Sequence, residues 1–187
     1  MNAAEPDRAI EDAWRIHAAL VDWTSKVDQK ASFVLAIESA AVLGVISLSE
    51  RESGKDKLLS SLNSILELLA YRIGVVFLVV AVILVAAAVI PQLRRNEVSD
   101  ESDRNFIFFG HLKSWKQEEL TQALRERDVL PVLSRQLIKM SEIAWKKHRR
   151  LQRSLWLAGA GIGLVGLAAV LDTGLLDTPL DWLIFWN

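Results

Sequence analysis

None of the 187 residues is a cysteine, which excludes disulfides, thiolate metal centres and a cysteine nucleophile. The three histidines, His17, His111 and His148, stand far apart and outside any H-E-x-x-H or His–Asp pairing. G-x-S-x-G and phosphate-loop patterns are missing as well. No catalytic set, metal or cofactor is therefore expected. The formal net charge of −1 leaves no basic field for holding nucleic acid. The opening "MNAAEPDRAIEDAWRIH" lacks the basic start and apolar stretch of a secretory signal. Proline is scarce, with 4 residues, and the one inside an apolar run, Pro91, comes at its end.

What the chain does have is segregation. It is 51% hydrophobic with mean hydropathy +0.23, yet 24% charged. Three apolar blocks carry the excess: Ala31–Leu48 with Glu38 as its only charge, the uncharged Ile73–Leu93, and the uncharged Ser154–Leu171. Each reaches the ~18–20 residues needed to cross a bilayer. The middle block shows no polar face of any period, the mark of a helix in lipid or in a deep core. A chain this short cannot bury three such helices in a soluble core. Two buried strands are the alternative for the Val-rich middle block, but no turn signal divides it. The expected fold is an all-α membrane protein, with three transmembrane helices and a small cytoplasmic helical bundle.

Orientation follows from basic residues near the spans. The segment from Arg94 to Arg153 holds 14 of the 22, and that from Ser49 to Arg72 holds four. The expected order is a cytoplasmic amphipathic helix (1–30), a first span (31–48), a short extracytoplasmic segment (49–72), a second span (73–93), a cytoplasmic helical region (94–153), a third span (154–171) and an extracytoplasmic interfacial tail (172–187). Within the first segment, Trp14, Ala18, Val21 and Ser25 form the expected docking stripe, with Ile10 and His17 beside it. The outer connection breaks at Gly54 and resumes as a helix from about Asp56 into the second span. In the long basic segment "SDESD" reads as an exposed loop, Ser114 as a helix cap and Pro131 as the start of another helix. "KKHRRLQR", directly before the third span, either attracts anionic lipid or simply anchors the topology.

"GIGLVG" matches G-x-G-x-x-G, but it lies inside an apolar span without the strand a dinucleotide site needs. Gly159, Gly163 and Gly166 are better read as helix-packing positions, within the chain or between copies, and Ala40 and Gly44 give the first span a similar small face. Glu38 has two readings. An ionisable residue in a span costs roughly 2.5–3.5 kcal/mol on insertion scales and marks a pore or gate by default. The other reading is a protonated carboxyl hydrogen-bonded to Ser39 or to a neighbouring helix.

Three stretches together carry a resemblance. "VDQKASFVLAIESAAVLG" enters the first span through a D-x-K-A signature, "FIFFGHLKSWKQEEL" follows the second span, and "LSRQLIKMSEIAWKKHRRLQRSLWL" leads into the third. Over most of its length the chain resembles the Pycsar membrane effector family of bacterial antiphage defence. The resemblance implies a multi-pass protein of the bacterial inner membrane. It also implies a pyrimidine cyclase as functional partner, which makes cCMP or cUMP on infection, and an effector response that damages the membrane until growth stops or the cell dies. A small anion with a planar base needs a cation or backbone amides for its phosphate and an aromatic ring for its base. On that expectation the candidate ligand residues are Asp28, Lys30, Arg104, Asn105, Phe109, Gly110, His111 and Lys113. Interface packing of the phenylalanines, and an Asp28–Lys30 ion pair, are the plainer alternatives. Three spans with one carboxylate make a poor pore alone, so a homo-oligomer is expected. A membrane scaffold that recruits partners through its cytoplasmic helices is the rival function. A small-ion transporter using Glu38 is a third, and it lacks the internal repeats of that class.

Overall fold

The computed structural model describes residues 4–50, 65–90 and 105–172. Of these, 92% are helical and none lies in a strand. The elements are α1 (Ala4–Glu50), α2 (Ile65–Val89), the short α3 (Phe109–Leu112), α4 (Gln117–Glu126) and α5 (Val129–Asp172). Of these, α1, α2 and α5 are long and apolar enough to cross a membrane. The 25 residues of α2 reach about 37 Å at ~1.5 Å per residue, more than the ~30 Å of hydrocarbon.

The expected amphipathic helix and first span form one helix, α1, and the basic helix and third span form another, α5. No Gly or Pro interrupts either across the change of composition, so nothing local stops the helix there. The expected break at Gly54, the helix start near Asp56, the "SDESD" loop, Arg104 and the aromatic tail lie outside the described residues.

The described residues fall into two compact units, one within Met1–Gln29 and Ile90–His148, the other within Lys30–Val89 and Arg149–Asn187. The second is the apolar unit. In it, Gly74, Ala81 and Ala88 recur every seven residues on α2, and Ser154, Gly161 and Ala168 do so on α5; all six are buried. Gly74 meets Gly161 and Ala81 meets Ser154. Residue numbers rise along one helix as they fall along the other, so α2 and α5 are antiparallel. A seven-residue repeat keeps one narrow stripe on a partner, and small residues let the backbones close in. A Cβ on Gly74 would sit 2.9 Å from the Gly161 carbonyl oxygen, and one on Gly161 would sit 2.8 Å from that of Gly74.

From α1 come Ala31, Glu38 and Val45, again seven apart. Val45 and Val42 pack on the core formed by Leu78, Ala81 and Ala158, and Val45 also packs on that formed by Ala70, Tyr71 and Ala168. Large apolar side chains such as Phe33, Ile83 and Trp156 face outward. Only 11%, 28% and 22% of the three spanning windows is buried within the chain. Most of their apolar surface is thus left for lipid or for other chains.

The other unit carries most of the charge. On its part of α1 the buried side chains are Ala13 and Leu20, with His17, Thr24 and Val27 half-buried. The expected stripe faces the other way: Trp14 is 44% and Val21 48% exposed, and Ala18 and Ser25 are exposed too. The docking face again follows the seven-residue step (13, 20, 27). Its side chains are smaller than Trp14, which an amphipathicity argument favours for bulk alone.

Two helix starts also differ from expectation. Helix α4 opens at Gln117, with Lys116 at the cap position and no side-chain cap. Ser114 instead belongs to the preceding turn, its N–H donating to His111 O. Helix α5 opens at Val129, where Asp128 Oδ1 accepts the Leu130 N–H at 3.0 Å. That carboxylate satisfies a first-turn donor, and Pro131, also in the first turn, has no N–H to satisfy.

Candidate functional site

Two polar places stand out, one in each unit. In the apolar unit, Glu38 is only 4% exposed and Ser154 is fully buried. Ser154 Oγ lies 2.5 Å from Glu38 Oε1 and 3.0 Å from the Ala81 carbonyl oxygen. One hydroxyl thus touches both other spans. Glu38 Oε2 is buried without a hydrogen-bond partner among the described residues. One turn before Ser154, Arg150 donates from Nη1 to Ala87 O at 2.9 Å. A cation there meets carbonyls of the last turn of α2, which have no helical donors of their own.

These contacts move Glu38 along the bundle. It is level with Ser154, the first residue of the third apolar block, and a turn from Arg150. The carboxyl therefore sits toward the basic end of the apolar unit rather than at its midpoint, where the first block taken alone would put it. Of the two expected partners, Ser39 or a neighbouring helix, Ser39 is half-buried and the carboxyl meets the neighbouring helix α5 through Ser154. The small residues named from sequence lie elsewhere than the helix contact. Ala40 is exposed, and a Cβ on Gly44, Gly159, Gly163 or Gly166 would meet nothing within 4 Å. Within the chain, close packing falls to Gly74 and Gly161, one helical face away, because only these lie on the buried seven-residue stripe.

In the charged unit, the Asp28 carboxylate accepts Lys147 Nζ at 2.6 and 2.8 Å. Lys30, the partner in the alternative ion-pair reading, is exposed. The Lys147 side chain is 14% exposed and that of Asp28 42%. A half-buried pair of this kind is worth on the order of 1 kcal/mol. Exchanging the charges in the D28K/K147D double variant should recover most of what K147A loses in detergent thermal unfolding. Equal losses in the single and double variants would deny the pair a role.

The F-F-G-H element forms a tight knot. Asn105 Oδ1 accepts the Ile107 N–H at 3.1 Å, an Asx turn. Trp115 Nε1 donates to Asn105 O at 3.3 Å. Phe106 meets the Trp115 ring edge-on at 6.3 Å, and Phe108 meets His111 at 5.4 Å. The His111 and Leu112 N–H groups both donate to Phe108 O. The Phe108 ring covers Gly110, where a Cβ would collide with Phe108 Cε1. Asn105 and His111 are buried and Lys113 is exposed. The side chain of Phe109, like Arg104, lies outside the described residues.

Beside the knot is a cavity of about 340 Å³, lined by Trp115, Glu119, Gln122, Glu126 and Arg127 among others. The Arg127 guanidinium stands 5.5 Å from the Trp115 ring centroid. An aromatic face with a stacked guanidinium can take a planar ring and a negative charge. Sequence reasoning passed over Trp115, Arg127, Lys147 and Ser154. The seven-residue spacing of small residues would have found Ser154. Nothing in the sequence marks Lys147 out from its basic neighbours.

Comparison with curated proteins finds no match, and comparison with solved structures finds none. The family model described as PycTM, Pycsar effector protein domain, matches residues 12–172. That match takes in the three spanning helices and the polar places in both units. The chain belongs to the Pycsar effector family, a family of membrane-spanning effectors of antiphage defence.

Proposed function

We propose that this protein is an inner-membrane effector that responds to cCMP or cUMP and impairs membrane integrity during phage infection, leading to growth arrest or abortive infection. The observation that carries the reading is the family match, which extends through all three spans and the charged helical unit. The protein is non-catalytic on this view. A pyrimidine cyclase supplies its signal without having to touch it.

The charged unit faces the cytoplasm, because 14 of the 22 basic residues lie between Arg94 and Arg153. The N-terminus is then cytoplasmic. The nucleotide meets the Arg104–Arg127 stretch, where Asn105, Phe109, Gly110, His111 and Lys113 stand close in sequence to the Trp115–Arg127 stack. Asp28 and Lys30 are further polar candidates. Glu38 is the gate position. Several copies assemble, so that weak ligand preferences sum: moving an equilibrium from about 1:99 to 99:1 needs about 5.5 kcal/mol of differential binding.

The test is direct. With the protein induced in cells reporting membrane potential by dye, cCMP or cUMP should cause depolarisation that neither treatment nor induction causes alone. A specific observation keeps the scaffold reading as second. Trp14, Trp23, Ile138 and Trp145 in the charged unit are exposed, and they would suit a protein partner. No depolarisation with either nucleotide, together with unchanged growth, favours the scaffold.

A further inference from the structure

Ser154 has one hydroxyl proton and two close oxygen neighbours, Glu38 Oε1 at 2.5 Å and Ala81 O at 3.0 Å. A single proton lies along one of those lines, leaving the other pair of oxygens lone pair to lone pair. A second proton removes that repulsion, and the group at the cluster able to bring one is a neutral Glu38 carboxyl. The distance alone does not separate a neutral acid from a carboxylate, since 2.5 Å suits both. The partners do. A buried carboxylate needs several donors or a cation, and Oε2 has no partner among the described residues.

Arg150, one turn before Ser154, reaches Ala87 O with its guanidinium, six residues and about 9 Å of helix beyond Ala81. Arg153 is exposed. The remaining described titratable side chains of the unit, Lys30 on α1, Glu67, Tyr71 and Arg72 on α2, and Arg149 on α5, lie near the ends of its helical segments.

We propose that Glu38 holds a proton and forms a three-helix clasp with Ser154 and Ala81. Glu38 Oε1–H donates to Ser154 Oγ, and Ser154 Oγ–H donates to Ala81 O. The two bonds in series join α1 to α5 and α5 to α2. Separation of the spans breaks the chain and wets the carboxyl, which then loses its proton to water. The resulting charge opposes return to the dry bundle until a proton comes back. The clasp itself stands without the nucleotide reading; its service as a holder of the closed state rests on that reading.

Infrared spectra of the full-length protein in lipid at neutral pH test the clasp. The wild type should show a protonated-acid C=O band that Glu38→Gln removes and Ser154→Ala shifts to higher frequency without abolishing. A carboxylate band that Glu38→Gln removes would overturn the proposal, and so would an acid band unmoved in Ser154→Ala. If Glu38→Gln does not fold, by loss of the wild-type helical circular dichroism, Ser154→Ala alone decides on the band shift. Dye leakage from proteoliposomes without nucleotide tests the closed-state role. Ser154→Ala should leak several-fold more than wild type. Equal tightness of the two overturns the role. An acid band in a wild type that ignores both nucleotides would sink the effector reading and leave the clasp standing.

Discussion

Gly161→Val should lower the ratio of folded to unfolded protein about a hundredfold. A Cβ at that position meets Gly74 O at 2.8 Å and Leu78 N at 3.1 Å, and both are backbone atoms that no rotamer change can move aside. The helices have to separate, which loosens the Leu78, Ala81 and Ala158 packing and draws Ser154 away from Ala81. Overpacking of this kind costs typically 1–3 kcal/mol, and the lost hydrogen bond adds about 0.6 kcal/mol on the scale found in membrane helices. Together that is on the order of a hundredfold in the folded-to-unfolded ratio.

The comparison that gives the result meaning is Gly163→Val. Its Cβ faces open space within the chain, so monomer stability in detergent should be unchanged. If copies pack through this face, as the sequence suggests, Gly163→Val should instead lower the apparent mass in crosslinking. Protease resistance in mild detergent reads the first effect. Equal resistance of Gly161→Val and wild type would refute the α2–α5 contact.

Trp115→Ala should undo the charged unit's knot. The ring accepts the Phe106 edge and stacks Arg127, and its Nε1 holds Asn105 O. Removing a large aromatic side chain costs about 3–5 kcal/mol when it is fully buried. Trp115 is half-buried, so roughly half that range is expected. Trp115→Phe keeps most of the packing and loses the hydrogen bond, for about 1 kcal/mol. The two variants should therefore separate in hydrogen exchange of Asn105–Leu112. Trp115→Ala should lose protection there, Trp115→Phe should keep most of it, and the span amides should hardly respond in either. Matching protection in both variants would mean the ring does not organise the segment.

The three spans were legible because two of the apolar blocks are charge-free and the other carries Glu38 alone, over a length that only lipid or a large core accommodates. The continuity of α1 and α5 was less so, since composition changes where the backbone does not. On the first segment hydrophobic bulk was taken to point inward, whereas Ala13 and Leu20 are buried and Trp14 is left outside. In the spans small residues were taken to mark the contact, and within the chain it falls to Gly74, Ala81, Ser154 and Gly161 rather than to Gly159 and Gly163. In lipid the apolar side chains have no drive to hide from the solvent, so small residues identify the interface better than large ones do. Glu38 was singled out correctly as unusual, but its depth depended on Ser154, 116 residues away, which no local pattern reveals. The Asp28–Lys147 pair spans 119 residues and was hidden in the same way.

The absence of cysteine makes the topology open to a clean measurement. Single cysteines at Ser53 between the first two apolar blocks, at Val79 in the second span and at Ser141 in the charged unit can be probed in spheroplasts with a membrane-impermeant thiol reagent. Three crossings with the charged unit inside require Ser53→Cys to react in intact spheroplasts, Ser141→Cys to react only after permeabilisation, and Val79→Cys to resist in both. Labelling of Ser53→Cys and Ser141→Cys from the same side, or full reaction of Val79→Cys without denaturant, would contradict a chain whose solvent is lipid.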